Sequence, residues 1–196
     1  RKITFVEIKD YVGPGTGPGY SLLQCKKNLQ IPFILFTADT IVLEEIPAPI
    51  KNWYGIAEVK NPEEYCTVKI RNNLVYQIDD KVKNDNKFAW IGLAGIYDYP
   101  LFFSELERNK DVIAGEIQVS NGFKSLIVKQ LAPIRFTWFD TGTYHKYIET
   151  SKNLSGDNAG FDFSKSNEFL FFIGERVIKF FADADIVEKR VRRAQL

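Results

Sequence analysis

The 196 residues suffice for one domain with a sizeable core, and 45% hydrophobic content, with 16 Phe and 9 Tyr, makes it globular rather than disordered. A net charge of +1 gives no electrostatic case for a nucleic-acid binder, and no apolar run approaches the ~20 residues needed to cross a bilayer. The two cysteines, Cys25 and Cys66, lack metal spacing and read as reduced thiols of a cytoplasmic protein, while the single histidine, His145, excludes most His-based zinc sites and leaves a His-dependent triad one candidate.

The chain opens on "KITFVEI", with Ile3, Phe5 and Ile8 apolar, which predicts an interior strand. It has no methionine and no legible secretory leader, so a further segment is expected upstream. A glycine-proline loop, "GPGTGPG" at 13–19, follows. Next comes a predicted helix, "YSLLQCKKNL", with Leu22, Leu23 and Leu29 on a shared face. "PFILFTA" is apolar on both faces and predicts a parallel strand buried between helical layers. Strand, helix and strand in this order predict a right-handed crossover and an α/β fold class.

The middle is richer in strands: "WYGIAEV" (53–59), "CTVKI" (66–70) and "LVYQID" (74–79). The last two flank Arg71-Asn72-Asn73, a hairpin signal. A long strand is predicted over "FAWIGLAGIYDY" (88–99), then a short helix near "LFFSELERN". "GEIQVSNGFKSLIVKQL" (115–131) reads as one helix, "IRFTWFD" as one strand and "GTYHKYIETSKN" as a helix. "SKNLSGDNAG" (151–160) reads as a loop or linker. Beyond it two strands are expected about Gly174, then a basic helix with Ile186, Val187, Val191 and Ala194. That helix is expected to pack on the domain or on a second subunit; its Lys189-to-Arg193 run reads first as a solvated face.

Asp39 ends the apolar run "PFILFTAD". In open α/β sheets the crevice lies at the carboxyl ends of parallel strands, where one or two carboxylates commonly hold Mg²⁺ together with substrate phosphate and water. An Asp capping the next turn is the simpler alternative. Asp140 repeats the design: "IRFTWFD" leads into Thr141-Gly142-Thr143 and a helix, with Gly142 permitting a tight turn and Thr143 a plausible N-cap. The loop 13–19 lacks both the Walker lysine and the third glycine of the dinucleotide fingerprint. It reads as a rigid connector or as a flat backbone shelf for a planar base.

"GPGTGPGYSLLQCKKNLQIPFILFTADT" and, later, "FTWFDTGTYHKYIE" resemble the sugar-1-phosphate nucleotidyltransferases, from the start of the chain to about residue 155. The resemblance implies a Rossmann-like three-layer fold of the GT-A kind. Its central sheet would be mixed and mostly parallel, with a nucleotidyltransferase domain over 1–155. A C-terminal extension over 156–196 would hold a small β-hairpin plus helix. The implied activity is Mg²⁺-dependent transfer of a nucleoside monophosphate from NTP to a phosphorylated acceptor, with release of pyrophosphate. Asp39 and Asp140 resemble the metal ligands. Gly17, Pro18 and Gly19 occupy the place of the loop that meets the nucleobase. Lys81 sits where the family's E-K-P lysine contacts the acceptor phosphate, here in D-K-V. Gly95 matches the glycine of T-G-x-Y, which meets the acceptor, and Glu116 matches the glutamate of G-E-x-x-I-T-D, which binds acceptor hydroxyls; the second acidic position is Asn121. Locally, Lys81 also reads as a solvated hairpin charge, Glu116 as a first-turn helix charge and Gly95 as an ease to a strand bend.

The family's glycine-rich signature loop is not among these residues, and the resemblance implies it in a segment upstream of Arg1 if the chain is an enzyme. The tail resembles the linker of capsule-biosynthesis nucleotidyltransferases, and with the GPGTGPG loop it favours CTP. UTP or dTTP with a hexose 1-phosphate is the alternative. A non-catalytic nucleotide-binding module stays open. A glycosyltransferase ranks last, because Asp39-Thr40-Ile41 does not make a D-x-D motif.

Overall fold

The computed structural model describes residues 3–9, 11–155, 168–173, 176–181 and 183–194. The chain divides into two compact units, Arg1–Phe139 and Asp140–Leu196.

In the first unit, helix α1 (Pro18–Gln24) is followed by a 3-10 turn and strand β1 (Phe33–Phe36). Strands β2 (Thr40–Val42), β3 (Trp53–Glu58), β4 (Cys66–Arg71), β5 (Leu74–Asp80) and β6 (Phe88–Ile96) come next. Then follow helix α2 (Tyr99–Arg108), the short strands β7 (Val112–Ile113) and β8 (Glu116–Ile117), helix α3 (Ser120–Leu126) and strands β9 (Ala132–Arg135) and β10 (Trp138–Asp140). The central sheet runs β5-β4-β6-β3-β9, with β1 also pairing β6, while β10 pairs β2 in a small separate sheet.

The long β6 organises the core. Its alternate residues feed two clusters on opposite faces, as the period-2 pleat requires. Ala94 and Ile96, with Tyr54 and Ile56 of β3, join Phe33 and helix residues Phe102, Phe103, Leu106, Phe123 and Leu126. Ile91 and Leu93 pack on the other face with Trp53 and Phe136. Phe123 meets both Tyr54 and Phe102 edge-on, at centroid distances of 4.7 and 5.0 Å. Such aromatic contacts add specificity to what burial alone supplies.

The α/β class and the mixed sheet are as expected, but antiparallel pairs predominate among those described. The pairs β1–β6, β3–β6, β4–β5 and β4–β6 are antiparallel, and β3–β9 is parallel. Strand β1 is therefore not a parallel strand between helical layers. Phe33 is buried, whereas Ile34 and Phe36 are 40% and 49% exposed. An apolar run records affinity for a sheet but not strand direction, which its partner sets. Residues 3–9 form no strand, and Phe5 is 88% exposed. Residues 3–9 pair with no described strand, so the expected strand–helix–strand crossover is not formed among the described residues.

The hairpin over 66–80 is present. Asn72 and Asn73 both adopt left-handed backbone, φ 51° and 57°, as a two-residue type I′ turn demands. A second hairpin, β7–β8, replaces the first part of the helix expected over 115–131. Ala114 (φ 52°) and Gly115 (φ 87°) make its turn, and the helix itself covers Ser120–Leu126. The single strand expected over "IRFTWFD" is split at Phe136-Thr137 into β9 and β10.

The second unit contains helix α4 (Tyr144–Ser155), the antiparallel hairpin β11 (Glu168–Ile173) and β12 (Arg176–Phe181), and helix α5 (Ala184–Ala194). The expected hairpin and basic helix are both found. The loop expected from 151 is helical as far as Ser155; its remainder, and Gly174, lie outside the described residues. Glu168 is buried and takes Lys179 and Arg190 at 3.5 and 3.4 Å, so its charge is compensated from both the hairpin and α5. No described helix is long and apolar enough to cross a membrane.

Buried Tyr54 pairs with half-buried Cys66, Oη to Sγ 3.5 Å. Burial pushes the Cys66 thiol far up, and the nearby Asp80 charge reinforces it against the hydrogen bond from Tyr54. Burial also raises the thiol of Cys25, whose Sγ donates to Ser21 O. Since the thiolate is the nucleophile, native protein at mildly alkaline pH is expected to resist iodoacetamide at Cys66, with Cys25 modified first. Peptide mass spectrometry over time checks this; equal rates at both thiols in the folded protein contradict it.

Candidate functional site

The turn carrying Asp39 is built on an irregularity of β6. Gly92 has φ 79°, and the β3–β6 register shifts between Tyr54 and Ile56. Glycine is required there because the left-handed backbone penalises a side chain, and a methyl group would also overlap Thr37 Oγ1. The freed groups of β6 hold the turn. Thr37 N–H donates to Gly92 O at 2.8 Å, and the Thr40 hydroxyl donates to Ile91 O. Thr37 and Thr40 hydroxyls meet at 3.2 Å, and Thr40 N–H reaches back to Thr37 O. Ala38 and Asp39 project from this clamp, and Asp39 is exposed. Its carboxylate is a hard oxygen donor on a pinned backbone, which fits a magnesium ion that completes its shell with water and phosphate.

Strand β10 returns beside β2, directly after the Asp39 turn. Just before it, Thr137 is held by Glu44: its N–H donates to Oε1 and Oε2 at 2.7 and 2.9 Å, and its hydroxyl to Oε1 at 2.7 Å. Desolvation pushes the Glu44 carboxyl up. The Thr137 hydroxyl and amide outweigh it, with the backbone of Glu44 and Leu43, and hold it below the usual carboxylate range. A depressed carboxyl stabilises the fold above its unfolded value and loses that contribution as pH falls through the folded value. Glu44→Gln is therefore expected to lower the melting temperature modestly at neutral pH, with the gap closing as pH falls below the ordinary carboxylate range. Melts across that range check it; a gap that widens on acidification contradicts it.

Asp140 is the first residue of the second unit. Its Oδ1 accepts Gly142 N–H at 2.8 Å, its Oδ2 meets Lys146 Nζ at 2.8 Å, and its carbonyl accepts the Thr150 hydroxyl at 2.9 Å. Thr143 takes the capping role expected of it, its hydroxyl accepting Lys146 N–H at 3.3 Å. Asp140 is thus a carboxylate oriented by the Thr141-Gly142 turn and already attracting a cation, which also fits a metal ligand.

Of the residues expected to meet base and acceptor, the 13–19 loop and Glu116 come together. Thr16 O accepts Ile117 N–H at 2.7 Å, so the 13–19 loop lies against β8. A methyl group on Gly17 (φ 112°) would stand 2.6 Å from Glu116 Cβ, and one on Gly19 would stand 2.7 Å from Ile117 O. Glycine here permits close packing of loop on strand; Pro18 stays exposed and starts α1. Glu116 lies on strand β8, not in a first helical turn. Lys81 is exposed, with left-handed backbone (φ 52°) and its N–H bonded to Tyr65 O at 3.0 Å. That conformation is costly for lysine, and such strain clusters at functional sites. Its neighbour Asp80 is buried and accepts the Ser120 hydroxyl at 2.5 Å, tying the Lys81 turn to the segment that follows Glu116. Gly95 is buried in β6 with its Cα against the Trp53 indole.

Thr37, Thr40, Gly92, Glu44, Asp80 and Ser120 are supporting residues that sequence reasoning missed. Only Gly92 carried a local signal, a glycine inside a strand pattern.

No family model matches the chain, and no curated protein matches it. Solved structures do. A Bacillus anthracis protein assigned as a glucose-1-phosphate thymidylyltransferase, solved in complex with a sucrose, is 21% identical with a TM-score of 0.60, over 78% of this chain and 64% of its own. A UTP-bound UGPase from Acinetobacter baumannii is 15% identical with a TM-score of 0.54, over 68% and 54%. The chain therefore spans less than two thirds of either neighbour's length, and at these identities the likeness establishes a shared Rossmann-like nucleotidyltransferase fold.

Proposed function

We propose that this chain is a nucleotidyltransferase unit, transferring a nucleoside monophosphate from a pyrimidine NTP to a phosphorylated small acceptor. The observation that carries the reading is Asp39: an exposed carboxylate on a turn clamped to a strand irregularity, in a fold shared with two nucleotidyltransferases. Asp39 is the proposed metal ligand, and Asp140, the carboxylate of the W-x-D-T-G-T motif, the proposed second. Bound magnesium would supply neutralisation of charge that develops on the α-phosphate and on departing pyrophosphate. Lys81 positions the acceptor phosphate, Glu116 accepts its hydroxyls and the 13–19 loop backs the base. The acceptor phosphate is already anionic, so no side chain need remove a proton; catalysis is positioning and electrostatics.

The neighbours' names favour UTP or dTTP with a hexose 1-phosphate. The GPGTGPG loop and the capsule-like tail favour CTP and a cytoplasmic role in making capsule or surface-polysaccharide precursors. Pyrophosphate release, measured with CTP, UTP and dTTP against a panel of sugar and polyol phosphates with magnesium, separates these. Nucleotide binding by calorimetry without turnover would instead identify a non-catalytic module, and neither binding nor turnover would end the reading.

A further inference from the structure

We infer that Gln118 is a positioning residue for the Glu116 carboxylate and thereby sets affinity for the hydroxyl-bearing part of the acceptor. This rests on the acceptor role proposed for Glu116. Gln118 is 8% exposed, so its amide is committed to interior partners. Its Nε2 donates to Glu116 Oε2 at 2.9 Å, and a second, longer contact runs to Ile113 O at 3.5 Å across the β7–β8 hairpin. The donor is itself oriented by that hairpin, and a hydrogen bond to an ionised group is about twice as strong as a neutral one. Gly17 also closes on Glu116 Cβ and Cγ. The side chain is thus packed on the Gly17 backbone at its stem and held by an amide donor at its carboxylate. Oε2 is occupied, and Oε1 accepts no hydrogen bond from any described residue. That leaves Oε1, on an oriented carboxylate, to accept from a hydroxyl. An unbraced glutamate would have to give up its rotamer freedom when the acceptor binds, at a cost in affinity.

The test is calorimetric titration of glucose 1-phosphate and glycerol 3-phosphate, with UTP as internal control, into wild type, Gln118→Met, Gln118→Glu and Glu116→Gln. Gln118→Met keeps the volume and removes the donor. It is expected to weaken ester binding about 5- to 10-fold, the loss of one oriented hydrogen bond, and to leave UTP affinity unchanged. Gln118→Glu keeps the shape, places like charges together and weakens the ester further; it serves if the methionine variant does not fold. Adding Gln118→Met to Glu116→Gln is expected to change nothing more, since the two residues act as one unit. Ester affinity that falls in Glu116→Gln but not in the Gln118 variants overturns this inference and leaves the acceptor reading standing. UTP and ester affinities that fall in parallel make Gln118 a structural prop of the loop and overturn it too. Ester affinity unchanged in Glu116→Gln, or no ester bound by wild type, overturns the acceptor reading and this inference together.

Discussion

Asp39→Asn is expected to reduce magnesium-dependent pyrophosphate release by at least about 100-fold while leaving the melting temperature nearly unchanged. The residue is exposed, so little core is at stake. Its turn is held by backbone and hydroxyl bonds among Thr37, Thr40, Ile91 and Gly92. Asparagine keeps the shape and one oxygen but removes the charge that a hard divalent cation needs. The same variant is expected to weaken binding of Mn²⁺, followed by its paramagnetic resonance signal, whether or not substrate turns over. Full retention of both activity and Mn²⁺ affinity would show Asp39 to be merely a turn residue. A large fall in melting temperature would mean that its role is structural, and any loss of activity could no longer be assigned to the metal.

This prediction was available from the sequence because an apolar run ending on a carboxylate is a local pattern. Other local patterns transferred equally well. Asn72-Asn73 between two β-rich runs became a left-handed two-residue turn, and the strand over 88–96 and the helix after Asp98 stand where their composition puts them. What did not transfer depended on distant partners. Strand β1 was read as parallel because both of its faces are apolar, yet it pairs antiparallel with β6, more than fifty residues later, and only one face is covered. "ITFVEI" has a strand's alternation but pairs with none of the described strands. Glu116 was assigned to a helix because Val119, Phe123 and Leu126 do recur with helical spacing; the preceding Ala114-Gly115 turn, whose glycine was in plain view, cuts that helix short.

The site shows the same division. Asp39, Lys81 and Glu116 were nameable one by one from motifs. Their supports were not, because each support is a contact across the fold: Thr40 to Ile91, Asp80 to Ser120, Glu44 to Thr137. The packing of Gly17 and Gly19 on Glu116, Ile117 and Gln118 also changes how the glycine loop is understood. Its glycines are needed on the side facing the protein, so its rigidity comes from being bonded to a strand as well as from its prolines.

Gly92→Ala is the substitution expected to damage fold and site together. The added methyl group meets two penalties at once. Left-handed backbone at φ 79° disfavours any side chain, at about 1 kcal/mol. The methyl group would also overlap the Thr37 hydroxyl, whose own amide is bonded to Gly92 O, so Thr37 cannot retreat without releasing the Asp39 turn. Forcing extra volume into a packed position costs about 1–3 kcal/mol, and the sum is expected to lower the melting temperature by several degrees. The distinguishing result is functional. Because Thr37 and Thr40 clamp the turn, Mn²⁺ affinity is expected to fall in Gly92→Ala even at temperatures where circular dichroism shows the chain fully folded. Thr37→Ala, which removes the overlapping hydroxyl and keeps the amide bond to Gly92 O, is expected to recover part of that affinity in the Gly92→Ala background. A destabilised Gly92→Ala protein with unchanged Mn²⁺ affinity would separate the β6 irregularity from the metal site and leave it a purely structural feature.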